Sequence, residues 1–194
     1  MTRLTYGVGF NSKRQHKTKI NGKTTNSYQT WRNMLSRCYD KEFQKKYPTY
    51  VGCTVDKKWH DFQNFADWLD SHEYGSCGYE LDKDVLIYGN KVYSEDNCVL
   101  LPKDINALFN TRSRRRGIYP LGVRFHKDVC RFEAQINLSG SRKSLGYFDC
   151  PNEAYQAYKA AKERNVKSMA VKWANRIEWD VFVALMNWRL VEGG

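Results

Sequence analysis

Three observations predict an α+β fold in two units. Apolar residues recur at helical spacing in the first half of the chain, and one strand of regular alternation lies in the second half. Between them, segment 111–117 is basic and has no large apolar residue. Residues 1–26 read as an arm: Arg3, Lys13, Arg14, Lys17, Lys19 and Lys23 occur there with no acid. Such a segment is expected to be mobile alone and ordered on a phosphate backbone. From Ser27, Trp31, Met34, Leu35 and Cys38 form an i, i+3, i+4, i+7 stripe, predicting a helix that ends near Asp40. Residues 53–56 suit a short strand. Trp59, Phe62, Phe65, Ala66 and Leu69 mark a second helix over roughly 58–71, its aromatic stripe facing the core. Extended segments are predicted over 81–88 and 92–101 around the turn Gly89-Asn90-Lys91. A helix beginning at Pro102 or Lys103 follows, and together these give a ββα outline that closes the first unit, 27–110.

The second unit, 118–170, opens with three strand-like runs, 121–126, 129–138 and 142–148. In the middle run Cys130, Phe132, Ala134, Ile136 and Leu138 alternate with Val129, Arg131, Glu133, Gln135 and Asn137, giving one apolar and one largely polar face. Lys127-Asp128 and Ser139-Gly140-Ser141 suit hairpin connections. Pro151 opens a helix whose Ala154, Tyr155, Ala157, Tyr158 and Ala161 can lie on the sheet. The expected architecture is thus a three-stranded antiparallel sheet packed on one helix, followed by a helical tail, 171–194, patterned by Trp173, Ile177, Val181, Leu185 and Trp188.

The 194 residues are 41% hydrophobic and 14% aromatic with only 4 prolines, which excludes collagen-like and disordered classes. No window approaches 18 consecutive apolar residues and the first residues lack the apolar core of a signal peptide, so a cytoplasmic protein with no membrane partner is expected. Cys38, Cys53, Cys77, Cys98, Cys130 and Cys150 are accordingly read as reduced thiols. No Cys-x-x-Cys occurs, which argues against zinc, although the first four could converge in space. Charge points to the partner: the net +11 is concentrated in the first 25 residues and in 111–150, where nine bases face three acids. Two separated blocks of one sign favour a polyanion, double-stranded DNA first and structured RNA second. A monomer is the favoured state.

A three-stranded sheet with a spare face bearing Arg124, Arg131, Gln135, Arg142 and Lys143 can enter a major groove, where Arg forks onto guanine and Gln onto adenine. Lys143 and the linker arginines Arg112, Arg114, Arg115 and Arg116 would bind phosphates, as would Lys13, Arg14, Lys17 and Lys19 of the arm. Gly122-Val123-Arg124, the run from Arg131 to Ile136, Leu145-Gly146-Tyr147-Phe148 and the run from Glu153 to Tyr158 resemble the plant ethylene-response-factor (Apetala-type) DNA-binding domain over about 118–167. This chain departs from that pattern in having no Trp on its strands.

In the first unit, Trp31, Met34, Arg37-Cys38-Tyr39, Tyr50, Gly52, Trp59, Phe62, Phe65, Leu81-Asp82-Lys83-Asp84 and Tyr93 through Cys98 resemble phage HNH-type homing endonucleases. Those proteins commonly carry the ethylene-response-like module behind the nuclease unit. The resemblance implies metal-dependent phosphodiester hydrolysis with Mg²⁺ or Mn²⁺, in host cytoplasm. It makes Asn97 the residue that braces the ββ loop, Asn106 the last motif position at the metal, and Asp82 a metal ligand. Lys83 stands where the motif carries His. A protonated lysine cannot accept a proton, so Asp84 or a metal-bound hydroxide would have to serve as the base. His60 and His72 could do so only if the fold brought them to Asp82. The plain alternative is a solvated Asp82-Lys83-Asp84 turn, with Asn97 a turn cap and Asn106 a helix-surface residue. In that case the protein is a catalytically degenerate DNA-binding regulator, scaffold or inhibitor.

Overall fold

The computed structural model describes residues 4–75, 77–109, 118–138 and 140–191. The fold is α+β, and the chain divides into two compact units between Asn106 and Ala107. The basic segment 111–117, with Arg112, Arg114, Arg115 and Arg116, lies outside the described residues.

The first unit is built on two helices. α1 (Asn26–Tyr39) is capped by the Thr25 hydroxyl and buries Trp31, Met34, Leu35 and Cys38, the predicted stripe. The second predicted helix is divided. A short 3₁₀ turn, Lys57–His60, ends where the Asp61 carboxylate accepts the Gln63 N–H and starts α3 (Phe62–Ser71) afresh. Trp31 donates its indole N–H to the Trp59 carbonyl at 2.7 Å and packs against Phe62, while Trp59 packs edge-on to Phe65. Each such ring contributes about 1.5–3 kcal/mol by leaving water. α2 (Lys41–Lys46) follows α1 directly, with Asp40 capping its first turn.

The arm is not free, contrary to expectation. Beyond the isolated bridge from Phe10 to Asp61, it is tied to α3 by Gln63, which is fully buried. Gln63 accepts the His16 N–H and donates to Asn11 Oδ1 and the His16 carbonyl. Arg14 reaches Asn64 at 2.6 Å and Asp67 at 3.0 Å, and His16 Nε2 lies 2.7 Å from Asp67 Oδ1. Beyond the clasp the chain turns back as a hairpin of β1 (Lys19–Ile20) and β2 (Lys23–Thr24).

The expected long ββ hairpin is also shorter and differently paired. β4 (Glu80–Asp82) pairs antiparallel with β6 (Val99–Leu101), whereas β5 (Val92–Tyr93) pairs in parallel with β3 (Thr54–Val55). Leu101 leads through Pro102 into α4 (Lys103–Phe109), with Ile105 buried, so an antiparallel pair followed by a helix is present.

In the second unit β7 (Val123–His126), β8 (Arg131–Leu138) and β9 (Ser141–Phe148) form an antiparallel sheet in that order. A short 3₁₀ turn, Lys127–Val129, with Cys130 left-handed, replaces the first residues of the predicted middle strand. Ile136, Tyr155, Tyr158, Ala161 and Leu190 share one core between the sheet and α5 (Pro151–Trp173). α5 runs past residue 170, so the expected tail boundary falls inside a helix; α6 (Trp179–Asn187) follows and buries Val181 and Leu185.

Candidate functional site

Glu80 and Asp82 lie on one face of β4, with Leu81 buried between them on the other. Asn106, from α4, donates to Glu80 Oε2 at 2.5 Å. Asn106 therefore lies beside Glu80, which stands one two-residue step of about 7 Å along β4 from Asp82. Glu80, absent from the sequence reading, is the residue that ties the helix to the strand.

Asp82 ends its strand. Its Oδ1 accepts the backbone N–H groups of Asp84 and Val85, each at 2.8 Å, which folds the chain into a turn and explains why no extended segment continues to 88. Both turn bonds fall on one carboxylate oxygen. Burial pushes the Asp82 carboxyl above its usual range, against the pull of these two bonds. Lys83 points inward and is 6% exposed. Its ammonium donates to Asp84 Oδ1 and to the Asn90 carbonyl, both at 2.6 Å, and lies 5.9 Å from the centre of the Tyr93 ring. An ammonium has no lone pair with which to take a proton from water.

The 83–92 loop is braced by Asn90. Asn90 Nδ2 donates to the Lys83 and Val92 carbonyls, and its Oδ1 accepts the Val92 N–H. In the sequence Asn90 carries only a turn signal. Asn97 sits in the turn before β6, its N–H on the Ser94 carbonyl, two residues before Val99, the strand partner of Asp82. Arg37, named in the resemblance but given no role there, interacts with this cluster through Tyr93 and Asp82. Burial alone would lower its pKa, but Tyr93, Tyr50 and Asp82 outweigh that and raise it; its guanidinium lies 5.6 Å from the Tyr50 ring centre. The two histidines are engaged elsewhere, His60 with the Val55 carbonyl and Tyr39 and His72 with the Trp68 carbonyl.

The donor set bears on a metal in two ways. Among the described residues no three His, Cys, Asp or Glu side chains converge as a ligand group, and this covers the cysteine set weighed for zinc. Mg²⁺, however, needs only one or two protein carboxylates, completing its shell with waters and substrate phosphate. Asp82, whose Oδ2 takes neither turn bond, meets that lesser requirement by itself, whereas Asp84 is held by Lys83 and Asn106 is bonded to Glu80.

On the sheet, register decides which cations share a face. Arg124 is opposite Glu133, Gln135 opposite Ser144, and Asn137 opposite Arg142. Lys143 is opposite Ile136, which is buried toward the helix. Arg142 and Lys143, as neighbours in one strand, therefore lie on opposite faces, and Lys143 drops out of the expected face. Arg124 donates to Glu133 at 2.6 Å, and Arg131 to Asp149 at 2.9 Å. Glu133 is buried and is held below the usual carboxylate range by a hydrogen bond from Ser144 and by Arg124. Gln135, Asn137 and Arg142, with Gly122, Val123 and Ile136, line an open groove of about 310 Å³. The buried Gln135 Oε1 meets no hydrogen-bond donor among the described residues.

Comparison with family models, with curated proteins and with solved structures finds no match. No described helix is long and apolar enough to cross a membrane.

Proposed function

We propose that this chain binds duplex DNA and cuts it with a divalent metal, as an endonuclease of the HNH homing type. The observation that carries this reading is the β4–β6–α4 frame: an antiparallel pair runs directly into a helix, with Asp82 on its first strand and Asn106 on the helix beside it. Asp82 would hold Mg²⁺ or Mn²⁺ with Asn106 as its neighbour across Glu80, and the chemistry of the ion is to stabilise charge on the phosphate and leaving oxygen and to acidify water. Lys83 serves to hold Asp84 and the 83–90 loop, so the proton of the attacking water must go elsewhere. Arg142 and Asn137, which line the groove on the sheet, supply base-edge and phosphate contacts from the second unit.

A second reading keeps DNA binding and drops catalysis, leaving a regulator, scaffold or inhibitor. The seating of the Lys83 ammonium against Asp84 and the Asn90 carbonyl favours it. Supercoiled-plasmid nicking by wild type and by Lys83→His, each in Mg²⁺ and in chelator, separates the two. The nuclease reading expects cutting by wild type in Mg²⁺ alone. Cutting gained only by Lys83→His would identify a worn nuclease site, and no cutting by either would favour the regulator.

A further inference from the structure

We propose that the β1–β2 hairpin is a preformed DNA-contacting finger that docks in the major groove through Lys17, Lys19, Lys23 and Ile20; this rests on the DNA-binding reading above. Its form is fixed locally. Asn21 and Gly22 both have left-handed φ angles, 49° and 74°, the pair that closes a tight two-residue hairpin with the twist of its strands. Thr25 locks the base: its hydroxyl donates to the Lys17 carbonyl at 3.0 Å and its N–H to the Thr18 carbonyl at 3.0 Å, while the same side chain caps α1.

Folding does not explain what the hairpin carries. Both of its faces are open to solvent, and Ile20 is 57% exposed. A two-stranded ribbon that buries nothing is marginal in water and gains no stability from its side chains. Register places Ile20 beside Lys23 on one face and Lys19 beside Thr24 on the other, so cations flank an apolar tip. Lys17, Lys19 and Lys23 are exposed and the first 25 residues contain no acid, whereas Arg14, nearby in sequence, is bound to Asp67 and Asn64. The B-form major groove admits a two-stranded ribbon, while the deep, narrow groove of A-form RNA does not; the shape selects DNA.

The test is anisotropy titration of the full chain on a short fluorescent DNA duplex over a series of salt concentrations, with an A-form RNA duplex as competitor. Replacing Lys17, Lys19 and Lys23 together by Gln is expected to lower the salt slope by about three and affinity at least about tenfold, since each phosphate contact releases about one counterion. Ile20→Ser is expected to weaken binding without moving the slope. These exposed positions leave the fold intact, which an unchanged thermal melt checks. Wild-type binding with an unchanged slope in the triple variant overturns the finger and leaves DNA binding standing. Absence of duplex binding by wild type overturns both. RNA that competes as well as DNA overturns the assignment of the groove.

Discussion

The Lys83 ammonium lies 2.6 Å from Asp84 Oδ1, in a side chain that is almost wholly buried. Asp84 is half exposed, so the ion pair itself contributes little. The Asn90 carbonyl, which shares the ammonium, depends on it more. Lys83→Met keeps the apolar stem and removes the donor, and is expected to lower stability by about 2 kcal/mol in urea unfolding, the scale of a lost hydrogen bond to a charged group. A change below about 0.5 kcal/mol would show that the 83–90 loop holds without Lys83.

Gly122 opens β7 with φ +77°, and a Cβ there would stand 2.1 Å from the Tyr158 ring, itself part of the core of sheet and helix. Gly122→Ala combines a left-handed strain with overpacking against that ring. Destabilisation of about 3 kcal/mol is expected, read as an earlier melting transition that carries the far-ultraviolet strand signal.

Much of this fold was legible. The α1 stripe and the alternation in β8 predicted their elements because each buries one face and its spacing records which. Strand pairing was less so: β5 leaves its neighbour for β3, nearly forty residues earlier in the chain, and no local pattern encodes that choice. The docked arm was hidden for a different reason. Basic, polar residues 11–16 look solvated until Gln63 and Asp67, on a helix some fifty residues on, supply the partners. At the candidate site Asp82, Lys83, Asp84 and Asn106 were picked out by the resemblance, and Arg37 is among the residues that carry it, whereas Glu80 and Asn90 carried no signal beyond a strand start and a turn. The exclusion of Lys143 from the polar face was available from strand alternation alone.

The arm clasp has a pH signature. The hydrogen bond from His16, helped by Gln15 and Arg14, holds the Asp67 carboxyl below its ordinary range. A depressed folded value contributes stability that is present above the unfolded pKa, near 3.9 for aspartate, and is lost as pH falls through the folded value. Asp67→Asn should therefore melt below wild type at neutral pH, with the difference closing as the buffer is taken below about pH 4. A difference independent of pH would mean that charge at Asp67 is not what holds the arm.

The cysteines should divide by burial. All six are free thiols. Burial pushes Cys38 and Cys98 up to about 12, whereas Cys77 and Cys130 are exposed. Because the thiolate is the nucleophile, alkylation at pH 8 followed by peptide mass spectrometry should find Cys77 and Cys130 modified rapidly and Cys38 and Cys98 only after unfolding. Native labelling of Cys38 at the rate of Cys77 would contradict the packing of α1.

The most direct measurement is the initial rate of plasmid nicking in saturating Mg²⁺ for wild type and Asp82→Ala, prepared side by side and matched for folding by their melts. If Asp82 holds the metal, the variant should fall by at least about 100-fold, as expected for loss of a metal ligand. Equal rates for the two proteins, or equal cutting in chelator, would show that Asp82 is a turn residue and that the β4–β6–α4 frame is not where DNA is cut.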